Sequence, residues 1–358
     1  MKNFHCDHCQ NLVFFENVQC VGCQHTLGFM PQYRRIAAFE PAGNELWRAP
    51  DGTLSRKCAN YAVEQVCNWM VPANDPEPLC VACRLNDVVP DLSVPGNREA
   101  WYRMEVAKKR LVYTLLALRL PLAPKSADPE RGLAFSFMAS LPDQPAMTGH
   151  ADGRIVINLA EADDATREQT RKQMHEPYRT LLGHFRHEVG HYYWSRLIDG
   201  TEHLAPYRAL FGDERADYRA ALERHYQQGA PPGWQQRFIS EYATMHPWED
   251  WAETWAHFMH MTDTLETAKA LGLVLQPQRG GEPAVALHDE RRQGAVARTF
   301  DEMRDQWLAL IYALNSLNRS MGMPDPYPFV LSSPALDKLR FVHGVIAGHG
   351  AVTRVQPG

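Results

Sequence analysis

All eight cysteines of this 358-residue chain lie between Cys6 and Cys83. The first four make two short hooks, Cys6-Asp-His-Cys9 and Cys20-Val-Gly-Cys23. Two such hooks, folded back as a pair of knuckles, offer four thiolates to one tetrahedral ion. Gly22 suits the tight turn of the second hook, and His5, His8 and His25 stand nearby although four thiolates already complete the ligand set. The second four, Cys58, Cys67, Cys80 and Cys83, contain one hook, Cys80-Val-Ala-Cys83, and two irregular intervals. No cysteine is left over, so the count divides into two complete tetrads and predicts two structural zinc ions. Paired disulfides are the alternative and would require an oxidising compartment. The first twenty residues lack the continuous apolar stretch of a signal peptide, so the expected location is the cytoplasm. A segment rich in Pro, Asn and Gly with little apolar periodicity also needs staples, and a structural zinc supplies on the order of 10 kcal/mol toward folding.

Residues 1–95 are accordingly expected to form a double zinc-binding module of the zinc-ribbon type, with Trp47, Tyr61 and Trp69 in a small core. Zinc ribbons often bind nucleic acid, so charge matters. Up to Leu92 the chain has seven basic and ten acidic residues and no basic stripe, and the whole chain carries a formal net charge of −5. Phosphate neutralisation is therefore not expected, and the module reads as architectural or protein-facing, its partner unspecified. The chain is 45% hydrophobic, which suits a globular protein with a sizeable core and excludes collagen-like, coiled-coil and disordered classes. Its longest apolar run, Leu111 to Leu120, is interrupted by Arg119, too short to span a membrane.

Residues 96–358 read differently. A helix is expected from Asn97 as cap to about Arg119, with Trp101, Met104, Ala107, Leu111, Leu115 and Leu118 on one face. Leu133 to Met138 and Ile155 to Leu159 read as strands, the second closing a hairpin with Ala146 to His150 through Asp152-Gly153. Helices are expected over 165–175, 177–198, 213–228, 232–245, 247–261, 290–320 and 334–347. The fold class is therefore α+β, a zinc module followed by a mostly helical domain with a small sheet.

The helix predicted over 177–198 carries His187-Glu188-Val-Gly-His191, the His-Glu-x-x-His pattern. Histidines four apart share one helical face and can hold one zinc, with Glu188 placed to take a proton from water on that ion. His184 on the same helix reads as a packing or supporting residue. A catalytic zinc needs a third protein ligand and an open position. Trp194 and Leu197 stand where a metzincin would have Gly and His, which excludes that class. A gluzincin takes its third ligand from a Glu on a later helix. Pro247 favours a helix start there, and Glu249, Glu253 and His257 share one face. Glu249 is taken as the ligand and Glu253 as acceptor for a ligand histidine N–H, with the reverse assignment left open. His257 and His260 read as polar packing, and the acids Asp213, Glu214 and Asp217 as a helix start. The abundant aromatic residues around the motif read as core more readily than as substrate subsites.

Tyr242 with Glu249-x-x-x-Glu253, after the helix bearing His187 and His191, resembles the catalytic segment of anthrax lethal factor, a gluzincin. The resemblance implies zinc binding by Glu249 and support of the tetrahedral intermediate by Tyr242. More broadly, the chain resembles the bacterial family of "putative zinc-binding metallopeptidases" with an N-terminal zinc ribbon. The stretches that carry this likeness are Phe14 to Cys20, Cys67-Asn-Trp, Cys80 to Leu85, Phe185 to Trp194, Phe211 to Asp217 and His246 to Glu253. It implies a peptide or protein substrate, a catalytic zinc beside the two structural ones, and Glu188 as general base. In zincins the substrate pairs with a sheet edge, a part assigned here to the Ile155 to Leu159 strand. A rival reading is a non-enzymatic zinc adaptor whose third site is structural or degenerate. Retention of Glu188 speaks against it, because a structural site needs no base.

Overall fold

The structure is a computed structural model that describes residues 2–140, 146, 148–167, 180–287 and 299–355. It forms two compact units, residues 1–117 with 121–166, and residues 118–120 with 167–358. The first unit thus continues well past residue 95, where the cysteine-rich module was expected to end.

In the first unit, β1 (Phe4–His5) and β2 (Leu12–Val13) pair around the first cysteine hook. Gln10, at φ +62°, donates its N–H to Cys6 O at 2.7 Å, and Gln24, at φ +63°, does the same to Cys20 O at 2.9 Å. The left-handed residue therefore follows each hook. Gly22, expected to serve the turn, instead permits close approach: a Cβ there would lie 3.3 Å from Asn11 Cβ and 3.5 Å from Cys9 Sγ.

Five antiparallel strands follow in sequential order: β3 (Thr26–Met30), β4 (Arg35–Gly43), β5 (Leu46–Arg48), β6 (Leu54–Lys57) and β7 (Met70–Pro72). The short helix α1 (Ala59–Ala62) begins just after Cys58, between β6 and β7. Phe4, Phe15, Phe29, Trp69 and Tyr113 form one aromatic cluster, with neighbouring ring centroids 4.6–6.4 Å apart. Trp69 and Tyr61 are buried as expected. Trp47 is not in the core; it is half-buried on β5 with the Lys57 ammonium 4.2 Å above its ring.

Beyond β8 (Asn86–Val88), α2 (Asn97–Ala117) buries Trp101, Met104, Ala107, Leu111 and Leu115. Asn97 does not cap it; its side chain donates to Asp91 O at 2.8 Å from the first helical position. Glu105, Lys108 and Lys109 are buried on this helix as well, which apolar periodicity did not anticipate. The unit is completed by β9 (Ala134–Met138), β10 (Gly149–Ala151) and β11 (Arg154–Asn158), in the sheet order β10-β11-β9-β8. Asp152 and Gly153, at φ +47° and +76°, close the β10–β11 hairpin as expected of an Asp-Gly turn. β11 also pairs in parallel with β9. Flanked on both sides, it offers no free backbone row, so the substrate edge assigned to Ile155–Leu159 is withdrawn. The edges of this sheet are β10 and β8.

The second unit is built on α3 (Leu181–Leu197), α4 (Leu204–Phe211), α5 (Tyr218–Gln228) and α6 (Pro247–Ala270). A two-stranded ribbon, β12 (Val274–Leu275) with β13 (Val285–Ala286), and helices α7 (Phe300–Ser320) and α8 (Ser333–Val355) complete it. The helix expected over 165–175 and the start of that over 290–320 lie largely outside the described residues. The stretch 232–245 is two short 3-10 turns, Trp234–Gln236 and Tyr242–Thr244, and not one helix. Of the acids expected to start a helix, only Asp217 caps one, accepting from Ala220 N at 3.0 Å; Asp213 pairs with Arg215 and Glu214 with Arg208 ahead of α5.

Packing of α3 against α6 positions the site. A Cβ on Gly190 would lie 3.1 Å from Ala252 Cα and 3.2 Å from Trp255 Cβ, so the two backbones meet where no larger residue fits without displacement. Trp251 Nε1 donates to Gly190 O at 2.9 Å across the same contact. On the other side of α6, Lys338 of α8 reaches the buried Asp250 carboxylate at 2.5 Å.

Candidate metal centres

In the first tetrad Cys6 and Cys23 sulfurs are 3.6 Å apart, as are those of Cys9 and Cys20. In the second, Cys67 lies 3.8 Å from Cys80 and 3.7 Å from Cys83. These spacings are far beyond a disulfide bond and match the edge of a tetrahedron with zinc–sulfur bonds of about 2.3 Å, which is about 3.8 Å long. The donor sets therefore fit zinc. Backbone amides turn toward the sulfurs of the second tetrad, Trp69 N to Cys67 at 3.4 Å and Cys80 N to Cys58 at 3.3 Å. That tetrad is wholly buried, whereas Cys9 of the first is exposed.

The third cluster comes from two helices. Thr180 caps α3 by accepting from Gly183 N at 2.9 Å, and one helical turn separates His187 from His191 on a buried face. Pro247 opens α6 behind His246, which accepts from Trp248 N at 3.1 Å and so places Glu249 in the first turn. One ligating atom from each of His187, His191 and Glu249 lies within 4.8 Å of the others. Glu249 Oε2 is 3.0 Å from His187 Nε2 and 3.4 Å from His191 Nε2. A tetrahedral zinc with bonds of 2.0–2.1 Å spaces its donors by about 3.4 Å. Oε2 is buried yet takes part in no well-formed hydrogen bond. A buried carboxylate oxygen aimed between two imidazole nitrogens fits a cation there.

Electrostatics support the same arrangement. Burial raises the Glu249 carboxyl, but His191 and His187 outweigh it and hold the group well below the usual carboxylate range. For His187, burial favours the neutral ring, and Glu249 and Glu253 reverse the effect. Glu253 accepts from His187 Nδ1 at 2.6 Å and from Ser240 Oγ at 2.6 Å. It thereby fixes the ring so that Nε2 faces Glu249, which favours Glu249 over Glu253 as the ligand.

Glu188 lies buried beside this cluster, and His184, one turn earlier on α3, comes within 3.1 Å of its Oε1. Burial raises the Glu188 carboxyl, yet His184 and the two flanking histidines keep it below the ordinary range, ionised at neutral pH. The Tyr242 ring stands 6.0 Å from that of His187, on the short turn before α6. His257 and His260 are indeed packed: His257 meets Tyr327 OH at 2.7 Å and His260 stacks on the Tyr327 ring.

Two contributors were not anticipated. Ser240 comes from the loop preceding Tyr242. Tyr218 donates its hydroxyl to Glu249 Oε1 at 2.9 Å. Neither has a spacing relation to the zinc motif, although Tyr218 directly follows the Phe211 to Asp217 stretch.

Two family models match the chain. One, described as "Putative zinc-binding metallo-peptidase", covers residues 97–345, and a zinc-ribbon domain covers residues 3–94. An uncharacterized protein of Mycobacterium tuberculosis strain H37Rv is 44% identical over 347 residues, 97% of this chain and 95% of that protein. An uncharacterized protein of Mycobacterium bovis matches with the same identity and coverage. No solved structure matches significantly. No described helix is long and apolar enough to cross a membrane. With its three ligand clusters and matches over both halves, the chain belongs to the "Putative zinc-binding metallo-peptidase" family and carries an N-terminal zinc ribbon.

Proposed function

We propose that this protein is a zinc-dependent hydrolase of peptide bonds, a gluzincin with His187, His191 and Glu249 as ligands and Glu188 as general base. The observation that carries the reading is the convergence of the three ligand side chains beside a buried Glu188, whose Oε1 lies 3.1 Å from His184. A zinc ion held there would polarise the scissile carbonyl and acidify the attacking water. Glu188 takes the proton from that water on a carboxylate oxygen and returns it to the leaving amine. Tyr242 donates its hydroxyl to the developing oxyanion. Glu253 holds His187 through Nδ1, supported in turn by Ser240.

Two further zinc ions would be held by the cysteine tetrads, one by Cys6, Cys9, Cys20 and Cys23 and one by Cys58, Cys67, Cys80 and Cys83. These ligand sets suit a reducing compartment such as the cytoplasm. In functional terms residues 1–95 form the double zinc module and residues 96–358 the hydrolase domain, acting on a peptide or protein substrate and not on nucleic acid or membrane.

The test is Glu188→Gln in the full chain, scored on a peptide found responsive in a cleavage library. Three zinc ions per chain are expected to remain, while cleavage falls roughly 10²–10⁴-fold. Persistent cleavage by the variant would reject Glu188 as base. A zinc count unchanged by His187→Ala would reject the third site itself.

A further inference from the structure

The loop between α4 and α5 is more constrained than its acidic composition suggests. Gly212 ends α4 at φ +107°, and a Cβ on it would lie 3.1 Å from Pro247 Cγ, at the start of α6. Arg208 then holds Glu214 through Nε at 2.9 Å, and Arg215 holds Asp213 through two contacts at 2.8 and 2.7 Å. His246 clamps the end of the loop. Its Nδ1 accepts from Trp248 N at 3.1 Å, so Nε2 carries the proton and donates to Ala216 O at 3.0 Å. One imidazole thus caps the helix that bears Glu249 and ties to it the segment that ends in Tyr218. Asp217 caps α5, and the Tyr218 ring packs against His246 and Trp248 with centroids 5.3 and 6.3 Å away.

All of this delivers one hydroxyl to one oxygen. Tyr218 O–H donates to Glu249 Oε1 at 2.9 Å, while Oε2 faces the two histidine nitrogens. The two oxygens of the carboxylate are therefore chemically distinct before any ion arrives.

We propose that Tyr218 is a positioning residue that reserves Oε1 and so restricts Glu249 to a single-oxygen ligand, keeping the fourth position of the metal open. A carboxylate whose second oxygen is free can turn and bind through both, adding a fifth donor that crowds the position where water and substrate must enter. Supporting contacts of this kind are worth about 10- to 100-fold in metal affinity. The proposal rests on Glu249 being a zinc ligand, as argued above.

The experiment uses the full chain with both cysteine sites loaded with zinc and the third ion exchanged for Co²⁺. Tyr218→Phe removes the hydroxyl and keeps the ring. The variant is expected to retain the two cysteine-bound zinc ions, which reports on folding. Its visible cobalt bands should weaken, as expected when four-coordination gives way to five. Chelator competition should show the third ion held about 10-fold or more less tightly. His187→Ala, run in parallel, should lose the third ion altogether. Unchanged cobalt bands and affinity in Tyr218→Phe, with the ion lost in His187→Ala, would overturn the role of Tyr218 while leaving the site itself intact. Retention of the third ion in His187→Ala would instead remove the metal site, and this proposal with it.

Discussion

The cysteine tetrads and the His/Glu cluster gather ligands by opposite routes. Each cysteine hook is a local turn, in which the N–H groups of Gln10, Gln24 and Arg84 close back onto Cys6, Cys20 and Cys80. The first tetrad, made of two such hooks, needs little from the rest of the fold, and four sulfurs leave no position for another ligand. The His/Glu cluster depends on two helices separated by half a hundred residues of chain, and on a glycine that lets their backbones meet. Among the described residues it brings three donors together and has the Glu188 carboxylate beside them. Local construction suits an ion that holds shape, whereas long-range construction leaves room around the ion but makes it sensitive to packing.

The largest effect expected from this contrast comes from the ions themselves. Cys67→Ser should cost the second tetrad its zinc, on the order of 10 kcal/mol of folding free energy, and unfold the first unit. His187→Ala should leave the circular dichroism of the chain essentially unchanged. Equal loss of structure in both variants would erase the distinction between ions for shape and ions for chemistry.

A smaller effect is set by pH in the second unit. Burial lowers His257 from 6.5 to about 4. The unfolded chain therefore binds this proton more readily than the folded one. Stability is full above pH 6.5 and is lost as pH falls toward 4, by up to about 3 kcal/mol. His257→Gln should flatten that part of the acid limb in urea titrations; an unchanged slope would assign the loss to other groups.

Gly190→Ala should cost about 1–3 kcal/mol by overpacking α3 on α6, and should lower occupancy of the third ion without touching the cysteine sites. Thermal unfolding together with zinc analysis would check both parts. The smallest effect is expected for Thr180→Ala, which removes the α3 cap for about 1 kcal/mol, visible as a shift in the urea midpoint with metal content unchanged.

What could be read before folding follows the same division between local and distant. Hooks, the Asp-Gly turn, Pro247 at a helix start and the one-turn spacing of His187 and His191 are local, and spacing alone located them. Strand order is not local. Nothing in Ile155 to Leu159 says that β9 will lie against it, so its assignment as an edge failed. Tyr218, at the start of α5, and Ser240, from a loop, reach Glu249 and Glu253 over paths set by distant contacts, such as the His246 clamp on Ala216 ahead of Tyr218. Trp47 was expected in the core on hydrophobicity, but it lies half-buried on β5 beneath the Lys57 ammonium. The buried charges of α2 escaped for a related reason: periodicity counts Lys and Glu as a solvated face.

Those charges have a consequence for where the ribbon ends. Burial opposes a charge on Lys109, but Cys67 and Glu105 outweigh it and keep the ammonium protonated, with its Nζ donating to Val66 O at 2.6 Å. Glu105, bound to Lys108 at 2.7 Å, lies 4.0 Å from the Cys83 sulfur. Zinc held by four thiolates would carry a formal charge of minus two, and Lys109 of α2 is the cation that faces those sulfurs. A fragment stopped at residue 94 would keep every cysteine and lack Lys109. The charge that offsets the second tetrad is thus supplied from residue 109, beyond the last cysteine of the chain.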